Sequence, residues 1–334
     1  MLVADSNSRR PHPTKDSAAT EERDAMKACL FSVSYAGFWG QSTLSLDDFI
    51  RHAGRLGFPS VMIAGKRPHL SPLDTSPERV ESLKQVLSDA HVTCDVIGAY
   101  TNLTQPTASG SEVPWLEFQI SYVEALSRMA SQLGASVVRI FTAYETDGQA
   151  LQTQWNRCCV AIREMCDRAA SHGVTIAIQN HHDVALHTDA LLELLSDIDR
   201  PNCKLGFDAW SPALRGESLY EAAKKAAPQT VITTNADYMR VPRHRYRPDL
   251  VNYEPVTPDW IRAVPFGTGF IDYPSFFQGL ADGGFHGIAT YEICSPVRGG
   301  GDLKNLDACS EAYLEWMRNH TKPQRDSSEF CQGL

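Results

Sequence analysis

The sequence lacks the features that mark several large classes of protein. No apolar run approaches the roughly 20 residues that a helix needs to cross a bilayer. The formal charge of −9 leaves no basic excess for binding the phosphate backbone of a nucleic acid. The stretch RGGGD at 298–302 contains glycines but not the spacing of a nucleotide-binding loop. These absences predict that neither a membrane nor a nucleic acid is a partner.

The cysteines lack the spacing of a disulfide scaffold or of a zinc site. Their number, nine, is odd, and none belongs to a CxxC pair. The N-terminal region contains no apolar segment of the kind found in secretory signal peptides. We therefore expect buried, neutral thiols in a reducing compartment and predict a cytoplasmic location.

The composition is that of a globular protein with a sizeable core and many turns. Hydrophobic residues make up 43% of the 334 residues, with 22 Gly and 19 Pro. Residues 1–26 are polar, contain proline and show no apolar periodicity, and they are predicted to form a disordered tail. Residues 27–320 are predicted to form one catalytic domain, and residues 321–334 a C-terminal tail.

One pattern recurs from Lys27 onward: a helical stretch, a glycine near its end, and then a short strand-like run. It occurs as RLGFPSVMIAG, QLGASVVRIF, SHGVTIAIQ and DGGFHGIATYE. Glycine at that point suits the left-handed conformation that ends many helices. Eight strands are predicted, with ends near Ser34, Ala64, Ala99, Phe141, Ile178, Phe207, Thr234 and Tyr291. Eight alternating units predict an α/β fold, a single (β/α)₈ TIM barrel with its chemistry at the strand ends.

Two helix starts and one insertion can also be predicted. The segment from Ser45 to Asp48 resembles a capping box, and Ser76 followed by Pro77 is typical of a helix N-terminus. A long insertion, YMRVPRHRYRPDLVNYEPVTPDW, follows the seventh strand and precedes a helix predicted near 273–282. The basic residues of the insertion favour a solvated or inter-subunit loop over a phosphate site, so a homo-oligomer is an open alternative.

Polar side chains follow the predicted strands at the end where barrel enzymes carry their sites. Such a convergence is typical of a small-molecule site. The predicted substrate-binding residues are Lys66, His69, Tyr144, Glu145, Asn180, Trp210, Asp237 and Arg298. For His69 the open alternative is a solvated or backbone-bonded side chain, and for Tyr144 and Trp210 it is a packing role.

The blocks VTIAIQNHHD, KLGFDAWSPALRG, ITTNADY and GTGFIDYPSFFQGLADGGFHGIATYE resemble the last four strands of the xylose-isomerase-like TIM barrels, which include sugar phosphate isomerases and epimerases. The resemblance covers essentially residues 28–320. It implies a divalent metal held after strands 5 to 8 by a Glu, an Asp, a His and a Glu. The corresponding residues here are Gln179, Asp208, Thr234 and Glu292, of which only Asp208 and Glu292 match.

The substitution at Gln179 bears on both the metal and the reaction. An amide oxygen can ligate a hard cation, but Gln179 cannot accept a proton, so the paired carboxylates of the family's epimerases have lost one member. His181 or His182 can replace the missing ligand or base. Because adjacent residues at a strand end point in opposite directions, we expect only one of them in the site and slightly prefer His182.

The predicted catalytic residues are Gln179, His181, His182 and Glu292, and the predicted metal ligands are Gln179, His182, Asp208 and Glu292. Mn²⁺ is the first choice of metal, with Mg²⁺, Fe²⁺ and Zn²⁺ as alternatives.

Three functions remain open. The first is a metal-dependent enzyme on a small-molecule carbohydrate, isomerase- or epimerase-like, that removes a proton next to a polarised carbonyl. Its alternative is a lyase or dehydratase that acts on a keto-sugar or keto-glycoside by β-elimination, which needs the same first step. The second is metal-dependent hydrolysis, which the acidic charge disfavours for a nucleic-acid substrate. The third is a non-catalytic sugar-binding barrel that has lost its metal.

Overall fold

A computed structural model describes residues 26–105 and 112–321. Eight parallel strands close into a barrel in which the first strand pairs with the last. The barrel strands are β1 (Lys27–Phe31), β2 (Ser60–Ala64), β3 (Thr93–Gly98), β4 (Val137–Ile140), β5 (Thr175–Gln179), β6 (Cys203–Gly206), β7 (Thr230–Asn235) and, after a two-stranded insertion, β10 (Ile288–Tyr291). The predicted TIM barrel is confirmed.

The predicted strand ends agree with the structure to within one residue at seven of the eight strands. The exception is the first, which was predicted to end near Ser34. There β1 ends at Phe31, and Ser32–Tyr35 forms a 3₁₀ turn. The turn is fully buried, so apolar and small residues continue past the strand and mimic a longer one.

Helices surround the barrel and bury their apolar faces against it. They are α1 (Leu46–Leu56), α2 (Pro77–Asp89), α3 (Trp115–Leu133), α4 (Leu151–Ala170), α5 (Thr188–Ile198), α6 (Trp210–Arg215), α7 (Leu219–Ala226), α8 (Tyr273–Asp282) and α9 (Leu303–His320). None of the helices in the two described ranges is long and apolar enough to cross a membrane.

The predicted helix ends are confirmed. The Ser45 side chain accepts the Asp48 backbone N–H at the start of α1, and Ser76 caps α2 with Pro77 in its first turn. Gly57 and Gly134 follow α1 and α3 with φ of 89° and 83°, a conformation that costs other residues energy. These glycines turn the chain back into the barrel.

The insertion after β7 is an antiparallel hairpin, a structure that was not predicted. Its strands are β8 (Tyr238–Arg247) and β9 (Asn252–Ala263). These two runs contain Pro242, Pro255 and Pro258, and proline is rare in the interior strands of a sheet because it lacks a backbone N–H. A two-stranded sheet has only edge strands, which tolerate missing N–H groups. The hairpin returns to the barrel through a bridge between Ala263 and Val297.

The predicted tail at residues 1–26 lies outside the described residues except for Met26, and the one at 321–334 except for Thr321. Their assignment therefore stays a prediction.

Candidate active site

A cavity of about 220 Å³ opens at the mouth of the barrel, where β6, β7 and β10 end. The base of the hairpin forms one of its walls. The lining residues are His181, Asp208, Trp210, Thr234, Ala236, Tyr238, Ile261, Glu292, Cys294 and Ser295. Cavities for drug-sized ligands measure roughly 300–1,000 Å³, so this one suits a molecule the size of a monosaccharide.

Gln179 and Asn180 hold the carboxylate of Asp208 in place. The Gln179 amide Nε2 donates to Asp208 Oδ2 at 2.7 Å. Asn180 binds the backbone of Asp208 twice, accepting its N–H at 2.7 Å and donating to its carbonyl at 2.9 Å. Both Gln179 and Asn180 are almost fully buried. The structure therefore places Asn180 as a support for Asp208, away from the cavity lining.

Asp208 and Glu292 are acidic groups in a dry environment. Burial raises the pKa of Asp208 to about 7, against the opposing hydrogen bond from Gln179, and the charge of Glu292 raises it further. Burial also raises the pKa of Glu292, while Arg139 and the thiol of Cys294 act in the opposite direction. Two such carboxyls on one cavity are typical of a functional site, because uncompensated buried acids destabilise a fold.

The two histidines after β5 form a pair. His181 Nδ1 accepts the backbone N–H of His182 at 2.8 Å and lies 2.9 Å from His182 Nδ1. Burial lowers the pKa of His181 to about 4 and that of His182 to about 3. Both rings are therefore neutral near pH 7. Because Nδ1 of His181 accepts, its proton lies on Nε2, so His181 is a hydrogen-bond donor.

The structure places His181 on the cavity wall, and His182 outside the lining. The ring of His182 stacks between Tyr144, at 3.9 Å, and Phe141, at 4.4 Å, measured between ring centroids. This placement reverses the preference for His182. That preference extended the alternation of a strand, but β5 ends at Gln179 and His182 adopts a left-handed φ of 71°.

The four positions at which the family carries metal ligands hold oxygen donors. Asp208 and Thr234 line the cavity with Glu292, and buried Gln179 adjoins them through Asp208. Within the described ranges, neither Gln179 Oε1 nor Thr234 Oγ1 has a hydrogen-bond partner. An unpaired buried oxygen costs roughly 1–3 kcal/mol, which a cation would offset.

This donor set fits a hard cation such as Mg²⁺ or Mn²⁺. The nitrogen-rich sites that Zn²⁺ and Fe²⁺ favour need several histidine ligands, and His181 is the single histidine among the residues that line the cavity. The described part of the chain contains no group of three or more His, Cys, Asp or Glu residues that could hold a metal. His182 is thus not placed as the ligand that the sequence suggested.

Two other predicted substrate-binding residues are engaged by the protein itself. Both ring nitrogens of His69 bond within the fold, to Ser32 and to the carbonyl of Leu44. The carboxylate of Asp237 accepts the backbone N–H groups of Tyr238 and Gly269. The side chain of Arg298 is exposed beyond the cavity.

The remaining predicted residues lie at the barrel mouth. Tyr144 and Glu145 are exposed on the loop after β4. Trp210 lines the cavity and contacts Tyr238, with 4.3 Å between ring centroids. Lys66 is half-buried after β2, with its ammonium 3.6 Å from the ring of Tyr100.

The structure brings three residues to the barrel mouth that were not predicted there: Tyr100, Tyr238 and Cys294. Tyr100 directly follows the predicted end of β3, and Cys294 stands two residues after Glu292, so strand position alone could have indicated both. Tyr238 required knowledge of the hairpin.

The comparisons with known proteins agree with the fold. Residues 50–320 match the family described as xylose isomerase-like TIM barrel. A 3-dehydroshikimate dehydratase of Bacillus anthracis is 20% identical over 266 residues, which cover 77% of this chain and 88% of that protein.

Solved structures share the fold at low sequence identity. A D-psicose 3-epimerase with D-tagatose, from Clostridium cellulolyticum H10, has a TM-score of 0.66 and 17% identity, covering 89% of this chain and all of that one. A xylose isomerase-like TIM barrel protein from Mycobacterium smegmatis in complex with magnesium has a TM-score of 0.62 and 15% identity, covering 90% of this chain and 98% of that one. These relatives include epimerases and a dehydratase, and the chain described here belongs to the xylose isomerase-like TIM barrel family.

Proposed function

We propose that this chain is an enzyme that removes a proton from the carbon next to a carbonyl group in a small carbohydrate-like substrate. The observation that carries the proposal is the placement of Asp208 and Glu292 on one cavity of about 220 Å³ at the barrel mouth. Asp208, Glu292, Gln179 Oε1 and Thr234 Oγ1 would hold a divalent cation, Mn²⁺ first and Mg²⁺ second. Such a cation, when bound, polarises the carbonyl and acidifies the neighbouring C–H group.

Glu292 is the base in this proposal. Both oxygens of Asp208 already receive donors, Oδ2 from Gln179 at 2.7 Å and Oδ1 from the Ser211 backbone at 3.4 Å. Among the described residues, the carboxylate of Glu292 accepts a hydrogen bond only from the weakly donating thiol of Cys294, at 3.5 Å. Its carboxylate is therefore the freer of the two to accept a proton. His181, whose proton lies on Nε2, lines the cavity and would donate to a substrate oxygen.

The geometry favours elimination of water over epimerisation. Epimerisation by the paired-carboxylate route needs a base on each face of the carbon, and Gln179 supplies an amide at one of those positions. Elimination needs one base: Glu292 takes the proton from the α-carbon, and the same carboxyl returns it to the hydroxyl that leaves the β-carbon as water. The dehydratase among the relatives supports this outcome.

Isomerisation is the second candidate. It shares the first step, and Glu292 alone can return the proton to the neighbouring carbon. The structural similarity to an epimerase supports isomerisation as the second candidate.

The reaction is tested by incubating the Mn²⁺-loaded protein with free ketoses, keto-sugars and polyhydroxylated keto acids in D₂O. Loss of one water and the absorbance of a conjugated enone indicate elimination, whereas an isomer carrying deuterium indicates the second candidate. Glu292→Gln should lower the rate by about 10²-fold or more, because general base catalysis contributes that much. Glu311→Gln, on the exposed face of α9, is the matched control and should leave the rate unchanged. Absence of both water loss and exchange would contradict the proposal.

Metal dependence has a separate readout. Asp208→Ala and Glu292→Ala should each abolish bound Mn²⁺, measured by elemental analysis after dialysis, while the far-UV circular dichroism spectrum stays that of a barrel. Full occupancy in either variant would exclude that residue as a ligand, and absence of metal from wild type would favour the non-catalytic alternative.

A further inference from the structure

The opposite wall of the barrel mouth carries positive charge. Lys66 follows β2, and its ammonium lies 3.6 Å from the ring centroid of Tyr100 and 4.3 Å from that of Phe38. Among the described residues, no carboxylate lies within ion-pair distance of Lys66. The faces of aromatic rings attract a cation but leave its charge uncompensated.

A second cation lies beneath it. Arg139 on β4 is 1% exposed, and its guanidinium lies 4.1 Å from the ring centroid of Phe141 and 5.3 Å from that of Tyr100. It donates to the carbonyl of Ala99 at 2.9 Å, and its Nε atom has no hydrogen-bond partner within the described ranges. The ring of Tyr100 is therefore flanked by two cations.

Tyr100 also carries an unused hydrogen-bonding group. Its hydroxyl is buried and has no partner among residues 26–105 and 112–321. Buried polar atoms in native proteins are nearly always paired, so an unpaired hydroxyl on the ring that Lys66 covers indicates a missing acceptor. An anionic oxygen would serve both groups.

The groups around the subsite distinguish a carboxylate from a phosphate. Phosphate sites at the mouths of TIM barrels use backbone N–H groups of the loops after strands 7 and 8. In this chain Asp237 follows β7 and itself occupies the N–H groups of Tyr238 and Gly269, at 2.9 and 2.7 Å. One accessible ammonium and one phenol match the single charge of a carboxylate better than the double charge of a phosphate.

We propose that Lys66 and Tyr100 form a subsite for a carboxylate of the substrate, so that the substrate is a polyhydroxylated keto acid and not a neutral sugar. This inference rests on the proposed function, since it names the substrate class of the same barrel mouth. Burial, and then the charge of Arg139, lowers the pKa of Lys66, and a bound carboxylate would counter both effects.

Binding of unreactive probes tests the subsite without any turnover. D-gluconate and D-sorbitol have the same carbon chain and differ in one carboxylate, and sorbitol 6-phosphate supplies the phosphate. By calorimetry, wild type should bind gluconate about 10-fold or more tightly than sorbitol, since hydrogen bonds to charged groups contribute that much. Lys66→Met should lose this preference, and Lys66→Arg should keep most of it. Arg67→Met removes the adjacent, exposed cation that pairs with Asp74, and it should bind gluconate like wild type.

Equal affinities for gluconate and sorbitol, or unchanged gluconate binding by Lys66→Met with a wild-type melting temperature, would overturn the subsite. Tighter binding of sorbitol 6-phosphate than of gluconate would overturn the choice of carboxylate. Glu292→Gln should still bind gluconate, so loss of the proposed reaction and loss of the subsite are separate results.

Discussion

At the scale of single residues, the site is defined by what surrounds each polar atom. Gln179 donates its amide N–H to Asp208, and its oxygen has no hydrogen-bond partner among the described residues. An ionised glutamate at the same position could not donate that hydrogen bond. The residue types at these positions were readable from the sequence, as was their convergence at the strand ends. The hydrogen bonds from backbone N–H groups to Asp237 could not be predicted from the sequence, because the donors are 1 and 32 residues away and meet only in the fold.

The pKa of Asp208 has a consequence for stability. Since burial raises it from 3.8 to about 7, the folded metal-free protein retains a proton that the unfolded chain releases between these values. The stability that this proton contributes is present at pH 4 and is lost as the pH rises through 7. The loss amounts to about 4 kcal/mol, from 1.36 kcal/mol per pKa unit.

We therefore expect Asp208→Asn to raise the free energy of unfolding of the metal-free protein at pH 8 relative to wild type, with a much smaller gain at pH 4. Asparagine stays neutral and can still accept from Gln179. Urea titrations of both proteins in EDTA across this pH range measure the difference between their unfolding free energies. The titration of His181 and His182 contributes equally to both proteins and cancels from the difference. A difference that does not change with pH would show that Asp208 is not held protonated.

At the scale of elements, short links between neighbouring strands set the positions of the site residues. Strand limits and helix caps followed from local patterns, because each depends on residues within a few positions of one another. The hairpin β8–β9 could not be predicted in this way, because its strands contain proline. The turn after β5 could not either, because a left-handed conformation is uncommon for a histidine. The link from Asn180 to the backbone of Asp208 joins β5 to β6 at the cavity.

Asn180→Ala should break this link and lower both stability and metal affinity, because two buried hydrogen bonds to Asp208 are lost. A loss of roughly 2–3 kcal/mol in unfolding free energy is expected. Ser45→Ala removes the cap of α1 and should cost about 1 kcal/mol without changing Mn²⁺ affinity. Thermal unfolding and Mn²⁺ titration of the two variants separate these effects. Unaltered Mn²⁺ affinity in Asn180→Ala would show that the link does not position Asp208.

At the scale of the whole molecule, closure of the barrel creates the site. Gln179, Asp208, Thr234 and Glu292 belong to β5, β6, β7 and β10 or the loops after them, which are neighbours in the barrel, and closure through β10 and β1 places them opposite Lys66 after β2. Eight alternating units were sufficient to predict this closure. The sequence did not reveal how charge divides across the mouth, with the carboxyls of Asp208 and Glu292 on one side and the ammonium of Lys66 on the other.

The central claim, that a neutral amide at Gln179 directs this barrel toward elimination with one base, is tested most directly by Gln179→Glu. Wild type and variant are assayed side by side on keto-sugars, on polyhydroxylated keto acids and on free ketoses, with Mn²⁺ affinity measured in parallel. We expect the variant to bind Mn²⁺ more tightly, because it adds an anionic ligand, but to catalyse the elimination more slowly, because a third carboxylate weakens the Lewis acidity of the metal. A variant that is faster than wild type on every substrate would contradict it.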